Sequence, residues 1–145
     1  MKPESEKIKK KRTAEIIRRL KKKYPNAKIV LNFSNNWELL VAVILSAQCT
    51  DKKVNEVTAR LFKKYRTLDD YVRAKPHEFE QIVRPTGFYR AKAKNILASA
   101  KIIKDTFGGE VPRTMEEMLT LKVVARKTAN VVLGNAFNNP SGIVV

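Results

Sequence analysis

The sequence predicts an all-α fold. Apolar residues recur at intervals of three and four along most of the chain, which is the spacing of one face of a helix. Capping signatures precede several of these segments, and no alternating strand pattern of useful length occurs. The 145 residues, 43% of them hydrophobic, are enough for one sizeable core but not for two.

The first helix is expected over about residues 6 to 24, with Ser5 as its cap. Its apolar positions form a thin stripe between basic side chains. The segment Tyr24 to Asn26, which contains a proline, ends the helix. Residues 28 to 33 then form an irregular connection to the next element.

The second helix is expected to be the central, buried one. Asn35, with Glu38 three residues later, forms a capping-box pattern before Leu39 to Leu45, which is apolar on every face. A buried strand is the alternative for so apolar a run, but the cap and the alanine favour a helix. Residues 46 to 51 interrupt the pattern with small polar side chains, and apolar residues at helical spacing resume from Val54 to Tyr65.

The second half of the chain contains five further helical segments. Pro76 suits the first turn of a helix, and Gly108 and Gly109 stop a long one. The expected segments are 68 to 74, after the Thr67 and Asp70 capping box; 76 to 83; 90 to 107; 115 to 121, after the Thr114 and Glu117 capping box; and 126 to 137.

The charge balance indicates a polyanionic partner. Thirty Lys and Arg against 14 Asp and Glu give a net charge of +16, and residues 1 to 28 hold 12 of the basic and 3 of the acidic side chains. Nucleic acid is favoured over a membrane, because this segment lacks the Trp and Phe face of an interfacial helix; a solvated basic tail is the alternative. No stretch approaches the roughly 20 apolar residues of a membrane span, and no apolar signal core follows the basic start. We therefore expect a soluble, intracellular protein.

Three loop segments have polar or aromatic residues that a plain helix bundle would not require: 46 to 51, 86 to 89 and 121 to 128. The third ends in Arg126, Lys127 and Thr128 at a predicted helix start, where free N–H groups and the helix dipole favour a phosphate. The dipole and the neighbouring cations favour the neutral Lys127 amine, which is the form that attacks an electrophilic carbon. From the residues alone, a solvated lysine is the stronger alternative.

Three motifs, in order and spacing, resemble the endonuclease III family, which are base-excision DNA glycosylases of the helix-hairpin-helix superfamily. The motifs are LLVAVILSAQCTD at 39 to 51, GFYRAKA at 87 to 93 and RKTANVV at 126 to 132. The resemblance covers about residues 29 to 145. It implies a six-helix barrel with a helix-hairpin-helix motif at 29 to 138, a basic N-terminal helix at 1 to 28 that belongs to a second domain, and the start of a C-terminal segment at 139 to 145.

The resemblance also implies an activity: a DNA N-glycosylase with abasic-site lyase activity on oxidised pyrimidines. Its partner is double-stranded DNA with damaged or abasic sites, and its localisation is cytoplasmic and nucleoid-associated, with no membrane. Lys127 matches the nucleophile that displaces the base from C1′ and holds the sugar as a Schiff base. Gln48 matches the residue that fills the gap left by the flipped nucleotide, and Phe88 matches an apolar wedge. The predicted DNA-binding residues are Gln48, Phe88, Lys122, Arg126 and Thr128.

Simpler roles remain open for several residues. Gln48 could be a polar helix terminus and Phe88 a core aromatic. Asp51 is interpreted as the cap of the following helix, with a weak case for catalytic support. Cys49 is expected to be a small buried packing residue, and His77 a surface residue. The single cysteine excludes an internal disulfide, and no structural metal is expected.

Two departures from the family pattern bear on activity. Residues 121 to 125 read Leu-Lys-Val-Val-Ala where the family usually has Leu-Pro-Gly-Val-Gly or Ala, and the β-branched Val123 is costly wherever φ is positive. We therefore expect a distorted hairpin. The chain also ends at residue 145, immediately before the position of the family's catalytic aspartate, and lacks the four cysteines of the family's iron–sulfur cluster, so no cofactor is expected in it. We expect a truncated form with impaired base excision; a non-catalytic DNA-binding module or a gene fragment is the alternative.

Overall fold

The computed structural model describes residues 4 to 142 and Val144. Residues 1 to 3 of the predicted N-terminal segment (1 to 28) and residues 143 and 145 of the predicted C-terminal segment (139 to 145) lie outside the described residues. Within that range the chain forms α-helices and one 3-10 turn and no strand, which confirms the predicted all-α class. The elements are α1 (Glu6–Lys23), α2 (Asn36–Leu45), α3 (Asp51–Lys64), α4 (Leu68–Val72), α5 (Pro76–Val83), the 3-10 turn (Arg84–Thr86), α6 (Tyr89–Thr106), α7 (Met115–Met118) and α8 (Arg126–Ala136).

Helix α2 is the centre of the core, as predicted. Every residue from Trp37 to Leu45 is buried, and the helix packs against α3, α6 and α8. Asn35 caps it by accepting a hydrogen bond from the Glu38 backbone N–H at 2.9 Å. The Glu38 carboxylate accepts from the backbone N–H and hydroxyl of Ser34, one residue before the cap, so only half of the predicted capping box forms.

Four aromatic rings join α2 to the helices that follow it. Tyr71 of α4 lies edge-to-face with Trp37 at 5.1 Å and packs against Tyr65 and Phe79 at 5.3 and 5.8 Å. All four rings are buried. Burial raises the pKa of the Tyr71 hydroxyl, so the ring keeps its proton and acts as a core side chain. This cluster fixes α3, α4 and α5 around one end of α2.

Most helix ends agree with the predictions, and the differences have a common cause. Helix α6 ends at the two glycines, where φ is +60° at Gly108 and +86° at Gly109. Helices α4 and α7 end two to three residues earlier than expected, because their last turns tighten. The Ala74 N–H bonds to the carbonyl three residues back, and the Thr120 N–H does the same, which is 3-10 geometry.

Helix α1 is the least packed element. It has no buried residue, and Ile8, Ile16, Ile17 and Leu20 are each about half exposed, at 57%, 48%, 47% and 52%. Ser5 is its N-cap residue but makes no side-chain cap hydrogen bond. None of the helices in the described part of the chain is long and apolar enough to cross a bilayer.

Candidate functional site

A cavity of about 540 Å³ brings together two of the predicted functional segments. Gln48 lines it from the turn after α2, and Lys127 and Thr128 line it from the first turn of α8. Asp51 is the acidic residue of its described lining, and the remaining wall includes Ile29, Leu31, Val43 and Val131. The cavity therefore combines an amine, an amide and a carboxylate with an apolar wall.

Lys127 is exposed to solvent in the first turn of α8. The N-cap residue is Ala125, which has an extended backbone and provides no side-chain cap hydrogen bond. An alanine cap leaves the first N–H groups of the helix available to an outside acceptor, and the helix dipole favours an anion there. The start of α8 thus presents the Lys127 amine beside a helix end that favours an anion.

Gln48 lies in the turn between α2 and α3, which we call the Gln48 loop (residues 46 to 50). Its side chain is exposed and its φ is +50°, a conformation uncommon outside glycine. The loop is held by the Ser46 hydroxyl, which donates to the Val43 carbonyl at 2.7 Å, and by the Cys49 N–H, which donates to the Ser46 carbonyl at 3.1 Å. Gln48 lies two residues after Ser46, the C-cap of α2, and therefore outside both helices.

The cap of α3 is Thr50 and not Asp51. The Thr50 hydroxyl accepts from the Lys53 backbone N–H at 3.3 Å, and Asp51 is the first residue of the helix. The hydroxyl oxygen thus takes the N-cap role, while the carboxylate lies in the first turn, where the helix dipole stabilises it. This placement leaves Asp51 in the cavity wall.

Phe88 projects from the short connection between the 3-10 turn and α6, which we call the Phe88 loop (residues 87 and 88). Its side chain is 69% exposed, and its φ is +45°. The alternative of a core aromatic is therefore wrong. A large exposed aromatic ring in a left-handed conformation is unfavourable for folding alone, and such positions concentrate at functional surfaces.

The hairpin before α8 closes in spite of its unusual sequence. Leu121 and Val124 are buried, and the Val124 N–H donates to the Leu121 carbonyl at 3.4 Å. Val123 is 65% exposed with a φ of +61°. The turn is therefore formed, and the cost of the β-branched residue falls on its own backbone conformation rather than on the shape of the hairpin.

The hairpin and the first turn of α8 carry exposed positive charge. Lys122, Arg126 and Lys127 are all exposed, and no described ion pair involves them. Lys122 and Arg126 do not line the cavity, and neither does Phe88.

Cys49 is half-buried against the core, less buried than expected, and His77 is exposed, as predicted.

Sequence reasoning missed Lys92. This α6 residue is only 6% exposed, and its ammonium donates to the carbonyls of Leu45 at 2.9 Å and Thr86 at 2.7 Å. Burial lowers the pKa of Lys92. The helical periodicity does indicate that Lys92 is buried. Lys92 precedes the inward-facing Ile96 by four residues and therefore lies on the same buried face of α6.

Comparison with known proteins identifies relatives of this arrangement. Residues 41 to 144 match the family described as HhH-GPD superfamily base excision DNA repair protein. The chain is 50% identical to endonuclease III of Synechocystis over 137 residues, which is 94% of this chain and 63% of that relative. It is 49% identical to endonuclease III of Bacillus subtilis over 118 residues, covering 81% of this chain and 54% of that relative. The chain thus spans less than two thirds of the length of these relatives.

Solved structures give the same result. A trapped endonuclease III–DNA covalent intermediate superposes with a TM-score of 0.86 at 46% identity, covering 94% of this chain and 63% of that one. A thermostable thymine-DNA glycosylase superposes with a TM-score of 0.81 at 19% identity, over 90% of this chain and 62% of that one, which shows the shared fold. The family match covers more than half of the chain, and the helical architecture agrees with it. The chain belongs to the HhH-GPD superfamily of base excision DNA repair proteins.

Proposed function

We propose that this chain provides the DNA-binding and lyase machinery of a base-excision repair enzyme, a DNA N-glycosylase and abasic-site lyase for oxidised pyrimidines. One observation carries the proposal: Lys127, at the start of α8, lines the same cavity as Gln48, from the turn after α2. The cavity places a nucleophilic amine beside an exposed amide on a strongly basic protein. The proposed partner is duplex DNA with a damaged or abasic site, and the match to an endonuclease III trapped as a covalent intermediate with DNA supports a DNA partner.

The chemistry is assigned to Lys127. Its neutral amine attacks C1′ of a nucleotide rotated out of the helix, and the base departs with the electrons of the glycosidic bond. Loss of a proton from nitrogen and opening of the sugar ring give a Schiff base between Lys127 and C1′. Removal of a proton from C2′ then expels the 3′ phosphate by β-elimination and nicks the strand. At an abasic site the Lys127 amine adds to the aldehyde carbon C1′ instead, and loss of the aldehyde oxygen as water gives the same Schiff base.

The surrounding residues bind and deform the DNA. Gln48 and Phe88 are exposed on the two loops beside the core, where one fills the gap left by the rotated nucleotide and the other inserts between base pairs. Lys122, Arg126 and Thr128 surround the start of α8 and contact phosphate, where side-chain charge and the helix dipole act together.

Borohydride trapping on a duplex with a preformed abasic site tests the assignment. Reduction of the Schiff base should give a covalent adduct with the wild-type chain and at least about tenfold less with Lys127→Ala, because the adduct needs that amine. Lys101→Ala, which removes an exposed lysine of α6, is the matched control and should trap like wild type.

The other outcomes are also informative. Equal trapping by wild type and Lys127→Ala would mean that surface lysines react without selection and that Lys127 has no special role. Trapping by neither protein, with tight duplex binding retained, would favour the non-catalytic DNA-binding module.

A further inference from the structure

A buried ammonium bonds to the ends of two elements from which exposed loops begin. Lys92 lies on α6 and is 6% exposed, yet no described ion pair neutralises it. Its partners are the backbone carbonyls of Leu45 and Thr86. Leu45 is the last residue of α2, and Thr86 is the last residue of the 3-10 turn. Carbonyls at helix ends lack intrahelical partners and carry the negative end of the helix dipole, so two such ends together stabilise the buried cation.

The two carbonyls lie at the bases of the Gln48 loop and the Phe88 loop. Gln48 follows Leu45 by three residues, and Phe88 follows Thr86 by two. Both residues are exposed and both have positive φ, +50° and +45°. A non-glycine residue keeps this conformation only where its surroundings hold it. Among the described residues, Lys92 is the one whose side chain hydrogen-bonds to the bases of both loops.

We propose that Lys92 is a positioning residue that holds the Gln48 loop and the Phe88 loop in one fixed arrangement, so that both enter DNA together at a damaged site. This inference rests on the proposed function, in which Gln48 and Phe88 insert into the duplex. Lys92 itself touches neither DNA nor the reacting atoms. Lys92 orders the two loops before DNA binds, so less conformational entropy is lost on binding.

The residue type suits this task. A lysine ammonium has three rotatable donors on a thin stem, so it can reach two carbonyls on different elements from the interior of α6. Charge-assisted hydrogen bonds are about twice as strong as neutral ones. A methionine at this position would fill a similar volume and leave both carbonyls without their donor, which makes Lys92→Met the direct test.

The first measurement is amide hydrogen exchange on the free protein, which involves no DNA. In wild type, the Cys49 N–H bonds within the Gln48 loop, and the Gly87 N–H bonds to the Arg84 carbonyl at 3.2 Å. Lys92→Met should accelerate the exchange of both amides by about tenfold, the factor expected for loss of one charge-assisted hydrogen bond. Amides in the middle of α2 and α6, at Leu40 and Ile96, should keep their rates. Lys94→Met, which removes an exposed lysine from the same helix, should leave all four rates unchanged.

The second measurement is the affinity for a duplex containing a tetrahydrofuran abasic analogue and for the same duplex without it. Lys92→Met should bind the abasic duplex about tenfold more weakly and the intact duplex as wild type does, because phosphate contacts alone govern intact binding. Lys94→Met loses the same charge and should not change the ratio of the two affinities. Lys92→Gln, which keeps an amide donor without the charge, should give values between wild type and Lys92→Met and provides the comparison if the methionine variant does not fold.

The outcomes separate this inference from the proposed function. Exchange that accelerates in only one loop, or equally throughout the protein, would overturn the positioning role in favour of an ordinary structural lysine. Coupled acceleration in both loops, with a normal abasic preference retained, would overturn the link between loop order and DNA insertion. A wild-type chain without abasic preference would contradict the proposed function, while the exchange data would still decide whether Lys92 holds the loops.

Discussion

In the described part of the chain, four non-glycine residues have a positive φ: Gln48, Phe88, Val123 and Asn138. Asn138 follows the end of α8, and asparagine tolerates this conformation there. For the other three, a left-handed backbone costs roughly 1 to 2 kcal/mol each. All three are exposed and lie in the three segments assigned to DNA. The strain in this protein is therefore concentrated where the proposed function requires residues to project from the surface.

Relief of the strain at Val123 should stabilise the protein. Val123→Gly removes the β-branched side chain from a left-handed position, and we expect the free energy of unfolding to rise by about 1 kcal/mol, less the added chain entropy of glycine. Chemical denaturation measures this change. Val30→Gly is the matched control, because Val30 has the same 65% exposure without a positive φ. It should lower stability slightly, and an equal gain in both variants would contradict the strain argument.

The exposure of Phe88 separates its role in binding from any role in folding. Phe88→Ala removes little buried area, so the free energy of unfolding should change by less than about 0.5 kcal/mol, while affinity for an abasic duplex should fall about tenfold as the wedge is lost. Phe79→Ala, in the buried aromatic cluster, should instead cost about 3 to 5 kcal/mol of stability. Fluorescence anisotropy with labelled duplex and urea unfolding give the two values. A large stability loss for Phe88→Ala would assign Phe88 to packing.

At the scale of elements, short helices depend on their caps. Helix α4 has only five residues, too few to be stable alone. The Thr67 hydroxyl accepts from the Asp70 N–H, and the Asp70 carboxylate accepts from the backbone N–H groups of Thr67 at 2.8 Å and Arg66 at 2.9 Å. These hydrogen bonds, first those with Thr67, lower the pKa of Asp70.

This capping box should make stability depend on acid. The pKa of Asp70 is lower in the folded chain than its unfolded value of about 3.9. The contribution of ionised Asp70 to the free energy of unfolding is therefore complete above the unfolded pKa and is lost as pH falls through the folded pKa. Asp70→Asn should therefore lower stability at pH 6 and flatten the loss of stability between about pH 4 and pH 2. Urea unfolding across this range measures both effects. Asp105→Asn, at an exposed carboxylate for which no hydrogen bond or ion pair is described, is the control and should follow the wild-type curve.

The elements also show how far sequence reasoning reaches. Capping signatures and apolar periodicity are local, and they placed α2, α5 and α8 within a residue or two. The capping box predicts a hydrogen bond from the Asn35 N–H to the Glu38 carboxylate. The carboxylate instead accepts from Ser34, one residue earlier, because the chain before α2 brings Ser34 within hydrogen-bond distance. Lys92 was missed because composition suggests that lysines are solvated, while its burial depends on two helix ends that are distant in sequence. The cavity joining Gln48 and Lys127 likewise comes from the packing of α2 against α8.

For the whole molecule, the charge distribution favours a polyanionic partner, which under the proposed function is DNA. The net charge is +16, and residues 1 to 28 carry +9 of it, mostly on α1. Helix α1 buries no residue, so it contributes no side chain to the hydrophobic core. Several of its basic side chains are paired with Glu4, Glu6 or Glu15, and the remaining ones face solvent. This helix can therefore contact phosphate without any change in the core.

Removal of residues 1 to 23 should flatten the salt dependence of binding to intact duplex. Each phosphate contact that is lost reduces the slope of log K against log salt by roughly 0.9. Titrations at several salt concentrations with the full chain and the shortened chain measure the difference, and the thermal midpoint of the shortened chain serves as the control for folding. An unchanged slope would make α1 a solvated helix that does not touch DNA.

The buried aromatic cluster gives the protein an internal optical probe. Trp37 is the single tryptophan, 9% exposed, and lies in the first turn of α2. Gln48 follows the other end of that helix, and the eight residue-to-residue steps from Trp37 to Leu45 rise by roughly 12 Å. Its emission should be blue-shifted in the native state and should shift to the red when the core opens. A duplex bound at the opposite end of α2 leaves that environment intact. Tryptophan emission therefore reports folding alone, and a labelled oligonucleotide in the same cuvette reports binding, so each variant can be scored for both properties in one titration.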